Sequence, residues 1–215
     1  LANVYLHYVL DLWFEKCIKK QLYGEAYLVR FADDFLIMFQ YERDAQRVYE
    51  AIIRRMELFG LELSKEKTRI LPFGRNCVSR ETFDFLGFTH FNSKTRKGYY
   101  SVGHKISRKK KKQFKSNLKK WVKENRDKQF DEFMKKLNKK LTGSFNYYSL
   151  SGMIREVRSL WIHSLYVTFK WMNRRSQRRS FKLERFYEIW HERIIHPYIH
   201  VDIWSGDKVI YNKKV

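Results

Sequence analysis

Large apolar residues recur along this chain with two different periods, and the changes of period mark out its elements. Leu6, Leu10, Trp13 and Cys17 step by 4, 3 and 4, which predicts an amphipathic helix over residues 3–20. Residues 27–31 and 35–39 are each about strand length and rich in β-formers, so they predict a hairpin whose turn carries two adjacent carboxylates, Asp33 and Asp34. Helical spacing returns with Ala45, Val48, Ile52, Met56 and Phe59, where Asp44 is the expected N-cap and Gly60 the expected stop. Residues 61–73 read as a turn plus a strand, and residues 83–88 and 99–102 as a second hairpin around the basic loop of residues 93–98.

From Ser107 the pattern is helical throughout. One helix turns Phe114, Leu118, Trp121 and Val122 inward, a second Phe130, Phe133, Met134, Leu137 and Leu141. The third is the most regular, with Ile154, Val157, Trp161, Leu165, Thr168 and Met172 on one face, and a fourth is expected over residues 181–195. The expected fold class is therefore α+β: an antiparallel sheet with helices, followed by an all-helical region, divided as residues 1–103 and 104–215.

Charge sharpens that division. Residues 1–90 hold 13 Lys+Arg against 13 Asp+Glu, while residues 91–215 hold 32 against 10, so the entire net charge of +22 lies in the second part. Such an excess faces a polyanion. A membrane surface is the weaker choice, because no apolar run approaches the roughly 20 residues that span a bilayer and no lipidation motif closes the C-terminus. Cys17 and Cys77 are too few and too far apart for a disulfide framework or a zinc ribbon, so an intracellular, reduced protein is expected. His196 and His200 are four apart with Pro197 between them, which disfavours a shared helical face, and the histidines read as structural or RNA-facing.

Asp33 and Asp34 interrupt two apolar runs, and paired carboxylates there repel one another unless a cation or donors sit between them. Mg²⁺ suits two hard oxygen ligands supplemented by water and substrate phosphates. The alternative is an Asp-Asp turn that merely separates two strands. Four successive stretches bear on that choice: Leu1-Ala-Asn-Val-Tyr-Leu6, Gly60-Leu-Glu-Leu-Ser-Lys-Glu-Lys-Thr68, Phe83-Asp-Phe-Leu-Gly-Phe88 and Leu141-Thr-Gly-Ser-Phe-Asn-Tyr-Tyr148. With Phe31-Ala-Asp-Asp34, and in this order, they resemble the group II intron reverse transcriptases/maturases, from inside the palm to the end of the maturase (X) region.

The resemblance implies an RNA-directed DNA polymerase palm with its primer-grip hairpin over residues 1–103, then a thumb and maturase region over 104–215. It implies Asp33 and Asp34 as catalytic residues and Mg²⁺ ligands, Lys67 near the nucleotide phosphates, where a solvated turn lysine is the other reading, and Phe85, Leu86 and Gly87 as the primer grip. Gly87 suits close backbone approach to a phosphodiester, although a strand glycine also marks bulges. Phe31 departs from the family's usual Tyr, so a phenol hydrogen bond is absent. The partners implied are intron RNA, an RNA template with a DNA primer, and deoxynucleoside triphosphates. Leu1-Ala-Asn3 resembles the second half of a nucleotide-contacting motif, so the family's first catalytic Asp is expected upstream and this stretch alone is expected to polymerise little.

For RNA contact the candidates are Arg108, Lys109, Lys110 and Lys111, and the run Asn173-Arg-Arg-Ser-Gln-Arg-Arg-Ser180 with Arg174, Arg175, Arg178 and Arg179, whose guanidinium groups donate bidentately to phosphate and stack on bases. A solvated loop of like charges is the other reading of that run. Tyr147 and Tyr148 offer a stacking platform or, with slightly more weight, interfacial packing. A second function class stays open: an RNA-binding splicing factor whose polymerase remnant is only a scaffold.

Overall fold

The computed structural model describes residues 1–64, 66–77, 79–175, 180–199 and 201. They form two compact units, one of Leu1–Leu86 with Phe91–Val102, the other of Gly87–His90 with the described residues from Gly103 onward. Among the described residues no helix is long and apolar enough to cross a membrane.

In the first unit, helix α1 (Ala2–Leu6) runs directly into two π-helical stretches, His7–Leu12 and Phe14–Ile18, and closes in a 3₁₀ turn, Lys19–Gln21. This corrects the expectation of one α-helix. Wide i→i+5 turns rotate the inward face, so Val9, Leu10, Phe14 and Ile18 are buried while Leu6 and Trp13 are half-buried and Cys17 is exposed. Arg55 donates to the Val9 carbonyl at 3.1 Å, using an acceptor within the first π stretch.

Strands β1 (Ala26–Phe31) and β2 (Asp34–Phe39) pair antiparallel, from Ala26 opposite Phe39 to Phe31 opposite Asp34. Their inner face, with Ala26 buried and Leu28, Phe35, Ile37 and Phe39 partly so, packs in one cluster with the first helix and with Val48, Ile52 and Met56 of helix α2 (Glu42–Leu58). Helix α2 starts earlier than expected. Tyr41 is its N-cap, and Asp44 lies in the first turn, buried, where its Oδ2 accepts from the backbone amides of Tyr23 and Gly24 at 3.0 Å each. Gly60 ends the helix as expected: at φ +66° it brings its own amide to the Glu57 carbonyl and that of Leu61 to Met56, the paired bonds of a Schellman cap.

The strand expected within residues 61–73 is not formed among the described residues. Leu61 and Leu63 pack on the core instead, and Pro72 has no amide to offer a ladder. The expected second hairpin is a three-stranded sheet, β3 (Thr82–Phe85), β4 (Phe88–Lys94) and β5 (Tyr100–Ile106), in the order β3-β4-β5. Residues 83–88 are not the single strand expected: positive φ at Leu86 (+50°) and Gly87 (+82°) makes these two the centre of a two-residue turn between β3 and β4.

The second unit buries the inward faces of α3 (Arg108–Asn125), α4 (Phe130–Tyr148), α5 (Ile154–Met172) and α6 (Leu183–Arg193) in one core. Leu118, Val122, Phe133, Leu137, Leu141, Val157, Leu160 and Trp190 are almost fully buried there. The predicted helical faces are the observed ones, extended in α4 by Phe145 and Tyr148 and in α5 by Leu160 and Ser164. The chain is thus α+β, with sheets and helices first and a helical region after.

Candidate functional site

The acidic pair stands at the tip of the β1–β2 hairpin. Ala32 and Asp33 are the two turn residues, and Asp34 is the first residue of β2, so the turn holds one carboxylate and the ladder the other. Both are exposed, and neither side chain makes a hydrogen bond or ion pair with another described residue. Ala32 carries φ +54°, a left-handed conformation that disfavours any residue with a Cβ.

Arg30 braces this turn. Its Nε and Nη2 donate to the two carboxylate oxygens of Asp11 at 2.7 Å each, while Nη1 donates to the Ala32 carbonyl at 2.8 Å and to Asn3 Oδ1 at 3.3 Å. The guanidinium holds the Asp11 carboxyl below its ordinary range, against an opposing contribution from burial, and His7 Nδ1 lies 3.2 Å from the same carboxylate. Neither Arg30 nor Asp11 was singled out from sequence. A bidentate pair between residues 19 apart leaves no periodic trace.

On its outer face β1 exposes Tyr27, Val29 and Phe31, and β2 exposes Met38, so the acidic tip ends an uncovered apolar strip. The chemistry of the donor set fits Mg²⁺: two adjacent, exposed, hard oxygen donors, with coordination positions left for water and phosphate. They are a pair only, since no group of three or more metal-ligating side chains exists among the described residues. Lys67 is exposed on a turn closed by its amide and that of Thr68 on the Ser64 carbonyl, at 3.0 and 2.9 Å. No hydrogen bond or ion pair joins it to Asp33 or Asp34.

In the second unit Gly87 lies beside the start of α3. Its carbonyl accepts from the Ser107 amide at 2.9 Å, and Ser107 in turn caps α3 by accepting from the Lys110 amide. A Cβ at Gly87 would meet Lys110 Cγ at 3.5 Å and Tyr148 Oη at 3.7 Å, ordinary contacts, so its φ of +82° rather than crowding requires glycine. Phe88 stacks on Tyr147, centroids 5.6 Å apart, and meets Tyr148 edge-on at 5.5 Å. Tyr148 is buried, which pushes its hydroxyl upward in pKa, whereas Tyr147 stays 53% exposed: one tyrosine packs and the other presents surface. Arg108, Lys109 and Lys110 are exposed, but Lys111 is paired with Glu156 of α5 at 3.0 Å.

The arginine run starts from a closed loop base, where the Asn173 side chain donates to the Phe181 carbonyl at 3.0 Å and accepts from the Phe181 amide at 2.8 Å. Arg175 turns back onto the Lys128 carbonyl and Met172 Sδ, while Arg174 lies over the Trp171 ring at 5.5 Å. Arg178, Arg179 and His200 lie outside the described residues. His196 is stacked on Trp161 at 5.0 Å, a structural role.

Residues 1–90 match the family model described as reverse transcriptase (RNA-dependent DNA polymerase), and residues 111–188 match that of the group II intron maturase-specific domain. A comparison with curated proteins gives no significant match.

Proposed function

Starting from the chain's membership of the group II intron reverse transcriptase/maturase family, we propose that it takes part in RNA-templated DNA synthesis and grips intron RNA. Residues 1–103 are assigned to the palm and primer-grip hairpin, and residues 104–215 to the thumb and maturase region. The observation that carries the reading is the hairpin tip, where Asp33 and Asp34 project two solvent-exposed carboxylates that pair with no cation among the described residues.

In this reading Asp33 and Asp34 are the catalytic residues and hold Mg²⁺. When bound, the metal supplies Lewis-acid stabilisation of charge on the transferring phosphoryl group and acidifies the attacking primer hydroxyl. Arg30 fixes the turn from which both carboxylates project, and Lys67 neutralises phosphate charge of the incoming deoxynucleoside triphosphate. Phe85, Leu86 and Gly87 hold the DNA primer through the backbone of their tight turn. Arg108, Lys109, Lys110, Arg174 and Arg175 neutralise RNA phosphates, consistent with a second part that carries the whole +22 charge.

The test is Asp33→Asn in the full-length protein, which removes one ligand charge while keeping shape. Templated DNA synthesis at saturating Mg²⁺ is expected to fall by orders of magnitude, with RNA affinity unchanged. Normal polymerisation by Asp33→Asn would replace this reading with that of an RNA-binding splicing factor on a polymerase scaffold.

A further inference from the structure

Helices α3 and α5 pack side by side, and along their shared solvent face lies a pocket of about 240 Å³ lined by Lys119, Val167, Lys170, Trp171 and Arg174. Residues 167, 170, 171 and 174 follow i, i+3, i+4, i+7 spacing, so α5 and Arg174, two residues past its end, offer a single stripe. Trp171 is half-buried against the core and therefore held in place, with three cations around its ring: Arg126 at 5.4 Å, Arg174 at 5.5 Å and Lys123 at 5.9 Å.

Carboxylates are missing from the arrangement in an informative way. Nearby Glu124 belongs to Lys120 and Asp127 to Arg126, while Lys119, Lys123, Lys170 and Arg174 have no acidic partner among the described residues. The Nε of Arg126 is buried and lies 3.8 Å from Asp127 Oδ1, too far for a hydrogen bond. Cations gathered within about a Debye length of one another repel, and an anion in the pocket converts that repulsion into attraction. The volume equals roughly eight waters, enough for one nucleotide's base or sugar.

We propose that this pocket is a binding site for a single unpaired nucleotide of RNA. Its base lies against Trp171 and Val167, and Lys119, Lys170 and Arg174 take the phosphodiesters on either side. Unpaired bases are the part of RNA that proteins stack on aromatic rings, and exposed cations supply the sequence-independent share of the grip. The proposal rests on the RNA-binding reading above and adds to it a place and a feature of the RNA.

The experiment compares two labelled RNAs of equal length, one a perfect duplex and one with a single-nucleotide bulge, by fluorescence anisotropy on the full-length protein over a range of salt. The wild-type protein is expected to prefer the bulged RNA. Trp171→Ala should remove that preference, a loss of roughly five- to hundredfold on the bulged RNA alone, while Trp171→Phe retains most of it. Because Trp171 touches the core, Lys119→Glu/Lys170→Glu gives the second arm: both residues are exposed, and their reversal should weaken binding at least tenfold and flatten the slope of log affinity against log salt. Steep, salt-dependent RNA binding that is the same in all these variants would overturn the pocket and leave the RNA-binding reading standing. Failure of the wild type to bind either RNA would overturn both. Should the charge reversals abolish sedimentation with phosphatidylserine vesicles but not RNA binding, the pocket belongs to a membrane surface and the proposal is wrong.

Discussion

Arg30 grips Asp11 with two parallel hydrogen bonds of 2.7 Å, tying strand β1 to the π-helical stretch that precedes it. The same guanidinium reaches the Ala32 carbonyl, so one side chain joins the first helix, the sheet and the acidic turn. A lysine is a point donor and cannot reproduce that fork. Arg30→Lys should therefore lower stability by about 1–3 kcal/mol in denaturant unfolding, and should slow primer extension more than it weakens RNA binding. If extension and binding decline together, Arg30 acts on the fold alone.

Acid should find the same pair. The folded-state pKa of Asp11 is depressed below 3.8, chiefly by its hydrogen bond from Arg30. Its contribution is therefore fully present above the unfolded value and is lost as pH falls through the folded one. Asp11→Asn should be less stable than wild type at neutral pH, and the two should converge below pH 3.8 in acid unfolding curves.

Backbone strain gives a prediction of opposite sign. Ala32 at φ +54° sits where glycine is favoured, and relief of about 1 kcal/mol or more is partly offset by the greater freedom of an unfolded glycine. Ala32→Gly should leave thermal stability unchanged or raise it, whereas Ala32→Val should lower it by over about 1 kcal/mol, since branching at Cβ worsens the same clash. Gly87→Ala should cost about 1–2 kcal/mol through its φ of +82°, although space for the methyl exists.

His196 predicts behaviour in mild acid. It stacks on Trp161 and lies 4.4 Å from His191. Partial desolvation, then His191 and Arg158, holds its pKa below 6.5, although the residue is more than a third exposed and the effect is correspondingly small. Folded protein resists protonation there, so stability is complete above pH 6.5 and declines as pH falls through the depressed value. His196→Phe, which keeps the stacking, should flatten the fall in thermal midpoint between neutral pH and pH 5; an unaltered slope would clear His196 of the effect.

The helical region was legible because its signal is local. Val157, Trp161, Leu165 and Met172 repeat at the α-helical period, and every one of them is in the core. The first helix misled for the same reason: its spacing was read at 3.6 residues per turn, whereas Leu10, Phe14 and Ile18 are buried every fourth residue. Residues 61–73 carried strand-like composition, but composition does not supply a neighbouring strand. Of the candidate site, the acidic tip was visible as charge inside apolar runs. Arg30 and Trp171 were not, because their importance comes from partners far away in sequence: Asp11 for one, Lys123 and Arg126 for the other.

The two wide turns also set the rotational phase of everything before them. Each residue of a π-helical turn advances the chain by somewhat less than the roughly 100° of an α-helix, so deleting one residue between Leu6 and Asp11 would swing the leading turn through most of a quarter circle. Tyr5, whose hydroxyl now donates to the Phe59 carbonyl at 2.7 Å, would be carried off that acceptor. The end of α2 and the beginning of the chain are thereby kept in step by a helix that is slightly overfull.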